Sequence, residues 1–117
     1  MELNDLMGLC KVLDEKHGFP VKFDNQLEKY NQITKDLVGL LGEVGEFANI
    51  VKKINIKIER NESYELDTKQ AENNLKEELA DSLIYIIRIA NILEIDLTTE
   101  TLTKIEKNKI KYGTTEH

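Results

Sequence analysis

The segment Leu40-Leu41-Gly42-Glu43-Val44-Gly45-Glu46-Phe47-Ala48 decides how this chain is read. Around it, Leu37, Leu40, Leu41, Val44, Phe47, Ala48, Val51 and Ile54 recur at helical spacing and form one apolar stripe. Two acids stand beside that stripe. Glu43 and Glu46 are three residues apart and project from the same side of a helix. At 100° per residue, Glu43 lies about 40° from Phe47 and about 60° from Leu40, on the border of the apolar face. Ionised carboxylates there are costly without a partner, and two on adjacent turns repel each other. Gly42 and Gly45 flank the acids. Each costs about 1 kcal/mol relative to alanine inside a helix, and each removes bulk where a ligand or another helix can approach.

Working outward, this second helix begins near Asp24 or Asn25 and runs to about Ile58. Before it, Leu3, Leu6, Met7, Cys10 and Leu13 mark a short amphipathic helix, ended by His17-Gly18-Phe19-Pro20. Residues 59–67 are charged and polar and read as a connection. A third helix starts near Thr68 or Gln70 and carries Leu75, Leu79, Leu83, Ile86, Ile87, Ala90 and Leu93. It is apolar on more than one side, which suits a central helix or a subunit contact. Asp96, Thr98 or Thr99 can cap a fourth helix that carries Leu102, Ile105 and Ile110 and ends near Tyr112-Gly113. The expectation is an all-α, four-helix bundle-like fold forming one domain over residues 1–117.

Composition narrows the class. Hydrophobic residues make up 40% and charged residues 32%, a globular balance. The single proline, Pro20, leaves the rest of the chain free of the strongest helix breaker. The net charge of −6 comes without a basic stripe over most of the chain, which argues against nucleic acid as a partner. No segment suits a signal peptide or a membrane span. The lone Cys10 lies in an apolar run and reads as a packed thiol. A cytoplasmic setting is expected.

A second pair of acids lies in Leu75-Lys76-Glu77-Glu78-Leu79-Ala80-Asp81-Ser82, where Glu78 and Asp81 repeat the three-residue spacing. Two antiparallel helices can bring both pairs to one cavity, and four hard oxygen ligands suit Mg²⁺ or Mn²⁺ better than zinc. The alternative is a solvated face. Asn74, Glu78, Asp81, Tyr85 and Arg88 form one polar stripe, and with 22 acidic residues several such pairs arise by chance. Spacing alone leaves both readings open.

The segment Leu41 to Ala48 resembles the first signature of MazG-like nucleotide pyrophosphohydrolases, members of an all-α superfamily that includes dCTP pyrophosphatases and dimeric dUTPases. Glu77-Glu78-Leu79-Ala80-Asp81-Ser82-Leu83-Ile84-Tyr85 resembles the second signature. Asn91 to Leu97 resembles the usual connection, and Lys104 to Tyr112 resembles the C-terminal basic element. The likeness covers roughly Leu37 to Tyr112, in order. It implies that Glu43, Glu46, Glu78 and Asp81 hold Mg²⁺; Glu46 and Glu43 are the expected catalytic residues, and acid–base chemistry favours Glu46 as acceptor of the attacking water's proton. It implies that Lys104, Asn108, Lys111 and Tyr112, with Lys109 nearby, meet the phosphates. The implied reaction cleaves a nucleoside triphosphate between its α and β phosphates.

The chain has no Trp, whereas dCTP-preferring relatives place one near the base. Phe19, Phe23, Tyr30 and Phe47 are the candidate substitutes, and the base preference stays open. A diiron carboxylate bundle is disfavoured because neither His17 nor His117 stands three residues after a glutamate. A phosphoribosyl-ATP pyrophosphohydrolase and a non-catalytic nucleotide- or metal-binding oligomer are the competing readings. The apolar second and third helices exceed what one small bundle covers, so a homo-oligomer, dimer or tetramer, is expected.

Overall fold

Three of the four helices begin on a side chain that accepts a backbone donor left open by the first turn. Asn25 Oδ1 accepts from Glu28 N at 2.9 Å, Asp67 Oδ1 from Gln70 N at 3.0 Å, and Asp96 Oδ1 from Thr99 N at 3.1 Å. At the first helix, Asp5 accepts from the Glu2 amide at 2.9 Å. The computed structural model describes residues 1–60 and 63–113. They form α1 (Leu3–Lys16), α2 (Gln26–Arg60), α3 (Thr68–Leu93) and α4 (Leu97–Lys111), and the fold is all-α. The helix α2 runs slightly beyond the expected end: Glu59 and Arg60 belong to it and not to the connection. Residues 61 and 62 of that connection lie outside the described residues.

The ends follow from local chemistry. Gly18 at φ 75° turns the chain out of α1, and Pro20 follows without an amide donor. At the close of α3, Glu94 takes a left-handed conformation at φ 57°, and the Ile95 amide donates to the Ala90 carbonyl at 2.9 Å.

Asp36 meets Arg88, and Glu43 gathers with Glu78, so α2 and α3 run antiparallel along their shared seam. At 35 residues, α2 is about 52 Å long. Near the C-terminal end of α3, α1 packs across it: Met7, Ile87 and Ala90 are buried together, with Leu3, Leu6, Cys10 and Leu97 against them. Asn91 Nδ2 donates to the Met7 carbonyl at 3.0 Å, and Thr98 Oγ1 donates to Asn4 Oδ1 at 2.8 Å, which seats α4 beside α1. The four helices are thus an α2–α3 hairpin with α1 and α4 gathered at one end. The Cys10 thiol packs as expected, and burial followed by the nearby Asp14 charge raises its pKa.

The apolar third helix buries only part of its surface. Ile87, Ala90 and Ile92 are inside, whereas Leu79 is 61% exposed and Leu83 and Ile86 are also open. On α2, Val38 and Leu41 are 65% and 63% exposed. The radius of gyration is 18.3 Å, against roughly 13 Å for a compact chain of this length. No helix among the described residues is long and apolar enough to cross a membrane.

One polar knot ties these pieces together. Arg88 on α3 is 7% exposed. Its Nε donates to Asp36 Oδ1 on α2 at 2.9 Å, its Nη2 donates to the Pro20 carbonyl at 3.1 Å, and its Nη1 lies 3.3 Å from Asp14 Oδ2 on α1. The guanidinium also stands over the Phe19 ring at 5.5 Å. One side chain therefore reaches α1, the α1–α2 connection and α2. Removing one partner of a buried pair strands the other charge. Arg88→Ala is expected to cost about 3–5 kcal/mol in urea denaturation at fixed protein concentration. A loss below about 1 kcal/mol would show that the knot does not anchor α1.

Candidate functional site

Glu43 and Glu46 reach from α2, and Glu78 reaches from α3 across the seam. One carboxylate oxygen from each lies within 4.8 Å of the others. The three-residue spacing puts the α2 pair on one side of its helix, and the antiparallel packing brings Glu78 opposite. Glu43 and Glu78 are half-buried, and Glu46 is exposed. Glu78 Oε2 is shut off from water and has no hydrogen-bond partner among the described residues. Ionised carboxylates only accept hydrogen bonds, so three together contain no donor.

Two events can relieve this arrangement. One is a proton: on Glu78 it turns that side chain into a donor to Glu43. That hydrogen bond is the largest cause pushing the Glu78 pKa from 4.5 up to about 8, followed by desolvation, a hydrogen bond to Glu46 and repulsion from both neighbours. The other is a cation. Oxygen ligands alone, on two rigid helices, with an unpartnered buried oxygen among them, suit a hard divalent ion. Asp81, one turn beyond Glu78 on α3, stands outside the group of three and is exposed. It lines the adjoining cavity together with Glu43.

That cavity, of about 520 Å³, extends along the seam from Glu43 and Asp81 to Asp36 and Arg88. Both pairs are separated by seven residues, roughly 10 Å of helix. Phe19 and Pro20 close one side and Tyr85 another. Gly39 lets Tyr85 approach: a Cβ at this position would fall 2.6 Å from the ring carbon Cε1 and from the hydroxyl, closer than packing permits. The polar stripe of α3 thus faces this seam at Asp81, Tyr85 and Arg88.

Within one chain, the basic C-terminal residues do not join the acids. Lys104, Asn108, Lys111 and Tyr112 belong to α4 and its cap, and none lines the acidic cavity. Asn108 and Tyr112 border a separate cavity of about 280 Å³ with Ile105 and Lys109. Lys111 Nζ stands over the Tyr112 ring at 5.4 Å, and Lys109 Nζ pairs with Glu106 Oε1 at 2.9 Å. His17 is exposed at the end of α1, edge-on to Phe19 with ring centres 6.0 Å apart.

Sequence reading missed Asp14, Asp36 and Arg88. Arg88 interrupts the densest apolar run, and Asp36 falls four residues before Leu40 and seven before Glu43, beside the α2 stripe. Opposite charges set into facing apolar stripes were the available signal, because neither is tolerated there without the other.

The Glu78 shift predicts a pH dependence of stability. Its folded-state pKa is raised, so its stabilising contribution is complete below about pH 4.5 and is lost as the pH rises through about 8. Melting of the metal-free protein is expected to fall across that window, and Glu78→Gln should flatten the trend. Equal pH profiles for the wild type and the variant would contradict the convergence of the three carboxylates.

A family model of the MazG nucleotide pyrophosphohydrolase domain matches residues 31–112. The dCTP pyrophosphatase 1 of Bos taurus is 31% identical over 85 residues, 73% of this chain and 48% of its own length; that of Homo sapiens gives the same figures. The Gene 37 protein of Mycobacterium phage L5 is 36% identical over 70 residues, 60% of this chain and 57% of its own. The chain spans about half the length of the curated relatives it matches. No solved structure matches it. Matched along both acidic pairs and the basic element of α4, this chain belongs to the MazG nucleotide pyrophosphohydrolase family.

Proposed function

We propose that this chain hydrolyses a nucleoside triphosphate between the α and β phosphates, releasing the monophosphate and pyrophosphate, with Mg²⁺ or Mn²⁺ held by Glu43, Glu46, Glu78 and Asp81. The observation that carries the reading is the gathering of three carboxylate oxygens within 4.8 Å, one of the residues keeping a buried oxygen without a donor. Triphosphate and carboxylates would repel each other; a bound divalent ion neutralises both and polarises the attacked phosphorus. The chain's own residues supply the rest. Glu43 and Glu78, half-buried on facing helices, fix the centre. Glu46, the exposed member of the group, takes the proton of the attacking water. Asp81 extends the acidic edge into the cavity and would join Glu43, Glu46 and Glu78 in holding the ion. The dCTP pyrophosphatase relatives make deoxynucleotides the first substrates to try.

The basic residues of α4 fit this scheme through a second copy of the chain. Lys104, Asn108, Lys111 and Tyr112 would meet phosphates in a homo-oligomer, dimer or tetramer, in which the exposed faces around Val38, Leu41, Leu79 and Leu83 are covered. Support comes from the extent of those faces and from the expanded radius of gyration.

Pyrophosphate release from a panel of dNTPs and NTPs is expected with Mg²⁺ and not in chelator. Glu43→Gln, Glu46→Gln, Glu78→Gln and Asp81→Asn should each lower it by about 100-fold or more. Near-wild-type release from all four variants would rule out the site, and nucleotide binding without turnover would favour a binder. Light scattering should give a mass well above the 13.5 kDa protomer. A stable monomer would contradict the assembly.

A further inference from the structure

We propose that the Tyr85 ring, lying against the bare backbone of Gly39, is the spacer that sets the opening between α2 and α3 at the acid cluster, and so determines which size of divalent cation the cluster prefers. The inference deepens the reading above and rests on a cation being held there.

Three glycines interrupt α2, in a helix interior where glycine is unfavourable, and at only one of them does a neighbour among the described residues occupy the space a side chain would take. A Cβ at Gly42 or Gly45 would meet nothing within 4 Å. A Cβ at Gly39 would collide with Tyr85 Cζ and fall 2.6 Å from Cε1 and from the hydroxyl oxygen. The ring thus reaches across the seam from α3 and stops on the α2 backbone itself. An aromatic ring does not compress, so this contact sets a lower limit on the separation of the two helices.

The position of the contact gives it leverage. Along α2, Gly39 stands three residues after Asp36 and four before Glu43; along α3, Tyr85 stands four residues after Asp81 and three before Arg88. On one flank, Arg88 Nε and Asp36 Oδ1 draw the helices together at 2.9 Å. On the other, Glu43, Glu46 and Glu78 repel one another. The ring lies between attraction and repulsion. The carboxylates stand on two rigid helices, so the span from Glu43 and Glu46 to Glu78 follows the separation that the ring maintains.

Cations differ in what they require of such a span. Mg²⁺ takes oxygens at about 2.0–2.1 Å in near-ideal octahedral geometry, whereas Ca²⁺ takes them at about 2.3–2.6 Å and accepts looser arrangements. A seam held at one width discriminates between the two. A widened or slack seam favours the larger and more tolerant ion.

The test reads metal binding and not turnover. Mn²⁺ binding to the full chain is followed by electron paramagnetic resonance, with Mg²⁺ and Ca²⁺ titrated as competitors in the absence of nucleotide. Gly39→Ala, which wedges the ring away from α2, should shift the ratio of Mg²⁺ to Ca²⁺ affinity about tenfold toward Ca²⁺. Tyr85→Ala, which removes the spacer and slackens the seam, should shift it in the same direction. Tyr85→Phe keeps the ring and should retain the wild-type ratio, which separates spacing from any role of the hydroxyl. Circular dichroism checks folding, and if Gly39→Ala does not fold, the two Tyr85 variants decide. A wild-type ratio in folded Gly39→Ala or in Tyr85→Ala, or an altered ratio in Tyr85→Phe, overturns this inference and leaves the proposed reaction standing. A wild-type chain that binds no Mn²⁺ overturns both. The shifted ratios in a chain that hydrolyses no triphosphate would sustain the spacer and sink the reaction.

Discussion

Like charge at the α2–α3 seam is the constraint around which this molecule is arranged. Glu43, Glu46 and Glu78 converge at a place where water does not reach every oxygen. Such a cluster is stable only with a proton or a cation, and the raised Glu78 pKa expresses that demand. As the pH rises through the range in which Glu78 loses its proton, the cost of these acids falls on the rest of the seam.

The opposite arrangement lies seven residues from Glu43 along α2 and ten from Glu78 along α3. There a single Arg88 is enclosed by acceptors: Asp36, Asp14 and the Pro20 carbonyl. This knot accompanies a small apolar core, in which Met7, Ile87 and Ala90 are buried together. It also gives the α1–α2 connection a defined position, so the cavity has a wall and not merely a floor. The two polar centres differ in kind: one gathers carboxylates alone, the other sets a single guanidinium between two carboxylates.

Much of this was legible in the sequence. The helices followed from apolar spacing and from Asn25, Asp67 and Asp96 as caps, because those signals are local. The convergence of Glu43 and Glu46 with a third acid could be anticipated, since spacing of three on two antiparallel helices restricts where the carboxylates point. Arg88 was read with a solvated stripe because its partners lie 52 and 74 residues earlier in the chain, and no local pattern reports such a contact. The position of α4 was equally hidden. Its basic residues follow a recognisable order in the chain, but order does not place them relative to the acids of α2 and α3. Tyr85 against Gly39 shows the same limit: the glycine is visible in the sequence, and the ring that requires it is not.

The exposure of Leu41, Val38 and Leu79 bears on how this chain folds as well as on what it contacts. A protomer with so small a core has little reserve against the entropy of ordering a helix as long as α2. Where a second copy covers those faces, association and folding become one equilibrium, and dilution alone shifts it toward the unfolded chain. The amount of folded protein would then rise more steeply than the amount synthesised, which makes expression level itself a control on the quantity of functional seam.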